Sequence, residues 1–258
     1  MPDFSALNRT FCLLTLLLAC AYQVQAQSSI KDSTIQIHVL DVSYHGMIPA
    51  GNFADRFGYT SLMGLEYSFK LRSNWYVGAG VQILFSESFK DEDFLENLMI
   101  AEDFVIADNG NLAEVRIGAT GYVVPFFVGK IFPLNPNHNP NSGLMIELGG
   151  QFIQHKIGIA TPQETTTPIT GEYAKGYDKL SRGFGASQAI GYRFFSNNGR
   201  VNFAAGFKFS QNFTYNQRPI NFQTGQVEHD LQKDFLSGFF FRWSFPIYTK
   251  APNQSYLY

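Results

Sequence analysis

Beyond residue 26 this chain has no cysteine, because its only two, Cys12 and Cys20, both lie near the start. A disulfide framework, a thiolate metal site and a cysteine nucleophile are thereby excluded for residues 27–258. Charge is also scarce: 16% of residues are charged, with 19 basic against 21 acidic side chains and a net of −2. So even a balance gives no electrostatic footprint for nucleic acid. Past residue 26 there is also no run of about 18 apolar residues, which excludes a chain that crosses a membrane on helices. No Pro/Gly/Ser-rich linker divides residues 27–258, so they are expected to form one domain.

Residues 1–26 read as an export signal: Arg9, then the apolar run Phe11 to Ala21 broken only by Thr15, then Val24-Gln25-Ala26 ahead of a cut before Gln27. The competing reading makes Leu17-Leu18-Ala19-Cys20 a lipoprotein signal with Cys20 acylated, a motif that Leu18 fits poorly.

Alternation dominates the remainder. Leu65, Tyr67, Phe69 and Leu71 share one side of an extended segment, and Gly64, Glu66, Ser68 and Lys70 share the other, which is the two-residue period of a β-strand. After the tight turn Arg72-Ser73-Asn74 the pattern resumes, with Trp75, Val77, Ala79, Val81, Ile83 and Phe85 against Tyr76, Gly78, Gly80 and Gln82. Such segments occur near 34–46, 59–71, 75–86, 112–130, 143–160, 181–195, 200–215 and 233–248. The connections are 47–58, 72–74, 87–111, 131–142, 161–180, 196–199 and 216–232. Long loops at one rim, shorter turns at the other and an even strand count predict an all-β fold: an eight-stranded antiparallel transmembrane β-barrel of up-and-down topology. Ten strands around a small pore are the alternative. Asn198-Gly199 and the Pro/Asn-rich stretch 133–142 suit short turns. Phe94, Leu95, Leu98 and Met99, at helical spacing, predict a short helix in the loop 87–111.

A soluble ligand-binding barrel would alternate too, with its apolar side inward. Here the polar side is rich in Gly64, Gly78, Gly80, Gly118, Thr120, Gly149, Gly183, Gly185, Ser187, Gly191, Ala204, Gly206 and Gly238. These suit a crowded lumen better than a wetted surface. Glu66, Lys70, Glu114, Arg116, Glu147, Arg193, Lys208 and Arg242 lie among them, carry both signs and are expected to pair inside. The other side carries two aromatic belts. Trp75, Phe69, Phe127, Tyr192, Phe194, Phe203, Trp243 and Phe245 fall near the short turns, and Tyr44, Tyr59, Phe85, Phe152, Phe184, Phe213, Tyr215 and Phe235 near the long loops. A lumen so filled predicts no conducting channel.

The five histidines, His38, His45, His138, His155 and His229, form no i, i+2 or i, i+4 pair, so neither a metal nor a cofactor is expected. Asp91-Glu92-Asp93 lacks EF-hand spacing and reads as a solvated loop. His155 with Ser181 or Glu172 is the strongest catalytic candidate, but no Gly-x-Ser-x-Gly elbow accompanies it and the chain reads as non-enzymatic.

With these residues in view, the chain resembles the small OmpA/OmpX-like barrels of Gram-negative bacteria. In its Ala-Gln signal junction and its loops it is similar to outer-membrane barrels of Bacteroidetes. Three segments carry the latter likeness: Pro49 to Gly58, Pro140-Asn141-Ser142-Gly143, and Gly171 to Leu180. Gly238, Phe241 and Trp243 approximate a barrel-assembly signal, from which Leu236 and the tail 249–258 depart. The resemblance implies an integral outer-membrane protein and a link to type IX secretion.

The expected function is therefore display of loops. In the loop 161–180, Tyr173, Lys175, Tyr177, Asp178 and Lys179 are the candidate interaction residues, and the competing reading has them fold over and plug the mouth. Expected partners are outer-membrane lipid and, by the resemblance, proteins of a secretion or envelope complex, with no nucleic acid. A surface adhesin or ligand-binding barrel is the alternative, and a lipid-modifying enzyme is third.

Overall fold

Eight of the alternating segments become strands that close on themselves. The computed structural model describes residues 33–91, 94–96, 98–101, 104–134, 139–162, 165–197, 201–222, 225–226 and 230–248. The export signal, Cys20, His138, His229 and the tail 249–258 lie outside them. In chain order the elements are β1 (Ile37–Gly51), α1 (Asn52–Arg56), β2 (Thr60–Lys70), β3 (Trp75–Ser86), β4 (Met99–Ala101), β5 (Phe104–Ile106), β6 (Leu112–Glu114), β7 (Arg116–Phe132), β8 (Gly143–Ala160), β9 (Ser181–Phe195), β10 (Asn202–Asn216) and β11 (Leu231–Tyr248), with short 3-10 turns at Thr167–Ile169 and Tyr173–Gly176.

The barrel runs β1-β2-β3-β7-β8-β9-β10-β11 and closes where β11 pairs with β1. Every neighbouring pair is antiparallel, so the topology is up-and-down with eight strands. Closure is complete at β1: Ile37 stands opposite both Tyr248 and Lys70, leaving no edge strand exposed. The first turn is held by Leu71 N–H on Trp75 O at 2.8 Å, with Asn74 at a φ of 63°. At the far end of β1, Gly51 takes a φ of 70°, and a Cβ there would lie 2.2 Å from Lys233 O. Only glycine lets the chain leave β1 and turn into α1.

The register corrects the sequence expectation in one strand. In β7 the outward residues are the even ones: Phe126 is 59% exposed and Phe127 only 5%. Arg116, Gly118 and Thr120 therefore do not face the lumen, Glu114 lies outside the barrel wall on β6 and is part-exposed, and Phe127 leaves the lower belt for the interior. The cause is pairing with β3, where outward Trp75 and Val77 stand opposite Lys130 and Val128. Val123 to Val128 is one continuous apolar run, so the sequence alone does not set its phase. Inside, Phe127 covers Gly78 and Tyr76 covers Gly129, its cross-strand partner; a Cβ on either glycine would meet the ring at 2.5 or 2.3 Å. Glycine is what lets two bulky rings lie flat in a narrow barrel.

The loop after β3 also departs from expectation. Its described residues hold turns and a three-stranded sheet, β4-β5-β6, and no helix. Leu95 has a φ of 64°, which a right-handed helix cannot continue, and Phe94 and Leu95 are buried. Their helical spacing reflects plugging into a core, where they join Phe53, Phe57, Val105, Ala113 and Ile157.

Candidate functional site

The outward face is apolar around the barrel. Leu65, Val81, Leu148, Ile190, Phe207, Phe239 and Trp243 are all exposed, on strands whose backbone groups are paired to neighbours. Apart from Phe127, and from Tyr59, which is exposed just before β2, the residues of both aromatic belts stand on the outward positions of their strands. Near the short turns Lys130 lies 5.2 Å from the Trp75 ring and 5.4 Å from the Phe132 ring, a stem against apolar surface with its charge at the boundary. Gln188 and Gln211, the outward amides near the middle, satisfy each other through two reciprocal hydrogen bonds of 3.1 Å. Such a closed barrel, apolar outside and polar within, belongs in a bilayer, and the protein is an integral outer-membrane β-barrel.

The lumen is filled in tiers. Nearest the short turns, Lys70 donates to Asn141 Oδ1 at 2.8 Å, and Arg193 pairs with Asp41 at 2.9 Å. At the centre Arg242 grips Glu147 with two hydrogen bonds of 2.8 and 2.9 Å. Its Nε also lies 2.9 Å from Glu66 Oε2, an ion pair by distance without hydrogen-bond alignment. Glu66 accepts from Gln82 at 2.7 Å, Tyr76 donates to Glu147 at 3.2 Å, and the Phe240 and Phe127 rings flank the guanidinium at 4.8 and 5.2 Å. One cation on β11 thus ties β2 to β8 across the barrel. Above it is a small cavity bordered by His45, Gln82, Gln151 and Lys208. Gln82 Oε1 and Gln151 Oε1 are buried without partners, and a water there would satisfy them.

Toward the long loops the lumen becomes apolar. Met47, Leu62, Leu84, Ile153, Ile157 and Leu236 face inward, and α1 places Phe53 and Phe57 over them. Phe53 is fully buried, its ring edge-on to His155 at 4.9 Å. Arg56 donates to Gln232 at 2.9 Å and Asn52 accepts from Lys233 N–H at 2.9 Å, fixing the plug to β11. Sequence reasoning missed this plug, although Phe53 and Phe57 stand at i, i+4 within a segment already noted for its family likeness.

His155 lies opposite Ser181 in the β8–β9 register, but the two are not joined as base and nucleophile. His155 Nε2 bonds Asp234 at 2.9 Å, which also accepts from Thr214 at 2.6 Å. Ser181 donates to Lys179 O at 3.1 Å, and Glu172 is occupied with Lys175 at the surface. All of His155, Ser181 and Asp234 are buried under the plug.

The five loop candidates divide. Tyr173 and Lys175 are exposed on a short 3-10 turn. Tyr177 is half-buried, its ring perpendicular to Phe222 at 5.6 Å. Asp178 is buried; it takes both arms of Arg218, Nε at 2.7 Å and Nη2, while its carbonyl accepts from Ile157 N–H at 2.7 Å. Lys179 holds a φ of 43° and supplies a carbonyl to Ser181. Exposed and packed side chains therefore share one loop. The Asp178 carboxylate raises the basicity of Arg218 above its usual value, chiefly through these hydrogen bonds. Nearby, Thr167 donates from its hydroxyl and its backbone N–H to Asp108, which lowers that carboxyl's pKa. That tether joins two loops at neutral pH and is lost on acidification through the carboxylate range. Replacing Arg218 with alanine should favour local opening of 165–180 by about 1–2 kcal/mol, with faster amide exchange at Ile157 and faster protease cleavage of the loop. Unchanged exchange at Ile157 would show that the Asp178–Arg218 pair does not hold it.

No family model and no curated protein sequence matches this chain. Among solved structures it is similar to Ail, the attachment invasion locus protein of Yersinia pestis, with a TM-score of 0.36 and 7% identity, over 82% of this chain and 99% of that one. Ail in complex with the heparin analogue sucrose octasulfate gives 0.32 and 10%, over 81% and 99%. The outer membrane protein OprG of Pseudomonas aeruginosa gives 0.29 and 8%, over 84% and 99%.

Proposed function

We propose that this protein is a non-enzymatic outer-membrane barrel that presents its long loops to protein partners, as an accessory component of an envelope machine such as type IX secretion. The observation that carries the display role is the packed cap. Phe53, Phe57, Phe94 and Leu95 close the mouth from within, while Tyr173, Ile106 and Leu112 stay exposed on its outer side. The Arg242 and Arg193 ion pairs cross the lumen, which argues against a channel, and Ile106, Leu112 and Tyr173 are carried on short strands and a 3-10 turn. Preorganised apolar side chains of this kind favour a protein surface as partner. The secretion role rests on the likeness of residues 49–58, 140–143 and 171–180 to Bacteroidetes barrels.

The test uses intact cells carrying a photo-crosslinking amino acid at Tyr173, together with deletion of the gene. A discrete crosslink to an envelope protein and loss of type IX cargo from the medium are expected. Unchanged cargo export would sink the secretion role. If the deletion instead lowers attachment to surfaces, the adhesin reading replaces it.

A further inference from the structure

On the lipid side of β8, β9, β10 and β11, the outward residues include three cations and no carboxylate. Lys156, Arg182 and Lys233 are all exposed, and none forms a salt bridge among the described residues. The register gathers them. Phe152, Phe184 and Phe213 stand opposite one another on β8, β9 and β10, and Lys233 completes that row on β11. One step toward the loops the row is Gln154, Arg182, Tyr215 and Leu231; one step further β8 carries Lys156. Lys156 and Arg182 are thus diagonal neighbours, about 7–8 Å apart at the backbone. Three strand spacings put β8 and β11 about 14 Å apart, a gap that two long side chains narrow from either end. On the neighbouring strand β7, where Thr120 stands opposite Lys156, the one outward cation at this rim, Arg116, is already paired with Glu114 at 3.1 Å. Asp230, just beyond the start of β11, is the nearest exposed carboxylate in sequence to the cluster.

We propose that Lys156, Arg182 and Lys233 form a site for the phosphorylated headgroup of an outer-leaflet lipid. The inference rests on the outer-membrane placement and is independent of what the loops bind. The aromatic rings beside the cations, with Phe152 and Phe184 at 5.4 Å and Tyr122 and Phe152 at 6.0 Å, supply an apolar wall for acyl chains. Gln154 and Tyr215 add neutral donors at headgroup height. An ionised phosphate satisfies cations that pair with no carboxylate among the described residues, and the glycolipid surface of this leaflet supplies phosphate together with acyl chains.

The experiment uses the purified full barrel in neutral detergent, with binding read by native mass spectrometry and by the temperature of heat-modifiable gel migration. The probes are bisphosphorylated lipid A, the same lipid with both phosphates removed, and inorganic phosphate. A one-to-one complex with lipid A is expected, weakened by salt. The Lys156→Gln, Arg182→Gln, Lys233→Gln triple variant should bind roughly 100-fold more weakly, and the dephosphorylated lipid should show a comparable loss on the wild-type barrel. Lys130→Gln, on the opposite rim, should bind as wild type does. Lipid A affinity within twofold in the triple variant would overturn the proposal, as would equal binding of the dephosphorylated lipid. Displacement of lipid A by millimolar inorganic phosphate would reassign the site to a free anion. If the triple variant does not fold, the Lys156→Gln, Arg182→Gln double variant must still lose at least tenfold, and no loss there overturns the site equally.

Discussion

Replacing Arg242 with alanine is expected to cost roughly 3–5 kcal/mol of barrel stability, read as a lower urea midpoint for unfolding from lipid vesicles. The guanidinium is fully buried, holds Glu147 through two hydrogen bonds and stands 2.9 Å from Glu66. Removing it leaves two carboxylates in a closed lumen with no cation bound directly to either. Lys208 is buried among the same groups, but among the described residues it makes no ion pair within 4.0 Å. Lost contact with the Phe240 and Phe127 rings adds a smaller part, typically about 1 kcal/mol or less. The two contributions separate in a compensated variant. Glu66→Gln, Glu147→Gln and Arg242→Met together remove the charges while keeping the volume, and should recover most of the loss because desolvated charge is what makes the single change expensive. If Arg242→Ala unfolds within 1 kcal/mol of wild type, the network fills space and does not hold the barrel.

That network marks the limit of what the sequence carries. Charges of both signs on the polar side were legible, and so was their need to pair. Which pairs form was not. Glu66, Glu147 and Arg242 lie on β2, β8 and β11, and only barrel closure brings them together. The segments 75–86, 143–160 and 181–195 match β3, β8 and β9 to the residue, because alternation there is clean and flanking turns end it. In β7 the run Val123 to Val128 is apolar on both faces, so the phase had to come from β3. A one-residue error there turned Phe127 outward and drew Glu114 and Arg116 inward.

The loops were legible in composition and not in partnership. Tyr173 and Lys175 are exposed as expected, whereas Asp178 is committed to Arg218, whose separation of 40 residues no local pattern announces. The plug was missed for a related reason. Two phenylalanines four apart, one in a five-residue helix and the other just past its end, look like any amphipathic turn until the mouth of the barrel lies beneath them.

Membrane placement itself leads to the second large effect, a contrast between two side chains of nearly equal exposure. Phe207, 60% exposed near the middle of β10, and Tyr173, 59% exposed in a long loop, would look alike to a solvent probe. With lipid around the barrel, Phe207→Arg should destabilise it by roughly 2–4 kcal/mol, since a guanidinium near the bilayer centre must be dehydrated or must drag water inward. Tyr173→Arg should stay within about 0.5 kcal/mol of wild type, as exposed loop substitutions do. Urea unfolding from vesicles of defined thickness measures both. A thinner bilayer should relieve Phe207→Arg and leave Tyr173→Arg unchanged, because the cost depends on depth and not on contacts within the protein. Equal effects at the two positions would mean that the apolar face of β10 does not meet lipid. The barrel would then need another cover for Phe207, Phe209 and their outward neighbours Phe239 and Phe241.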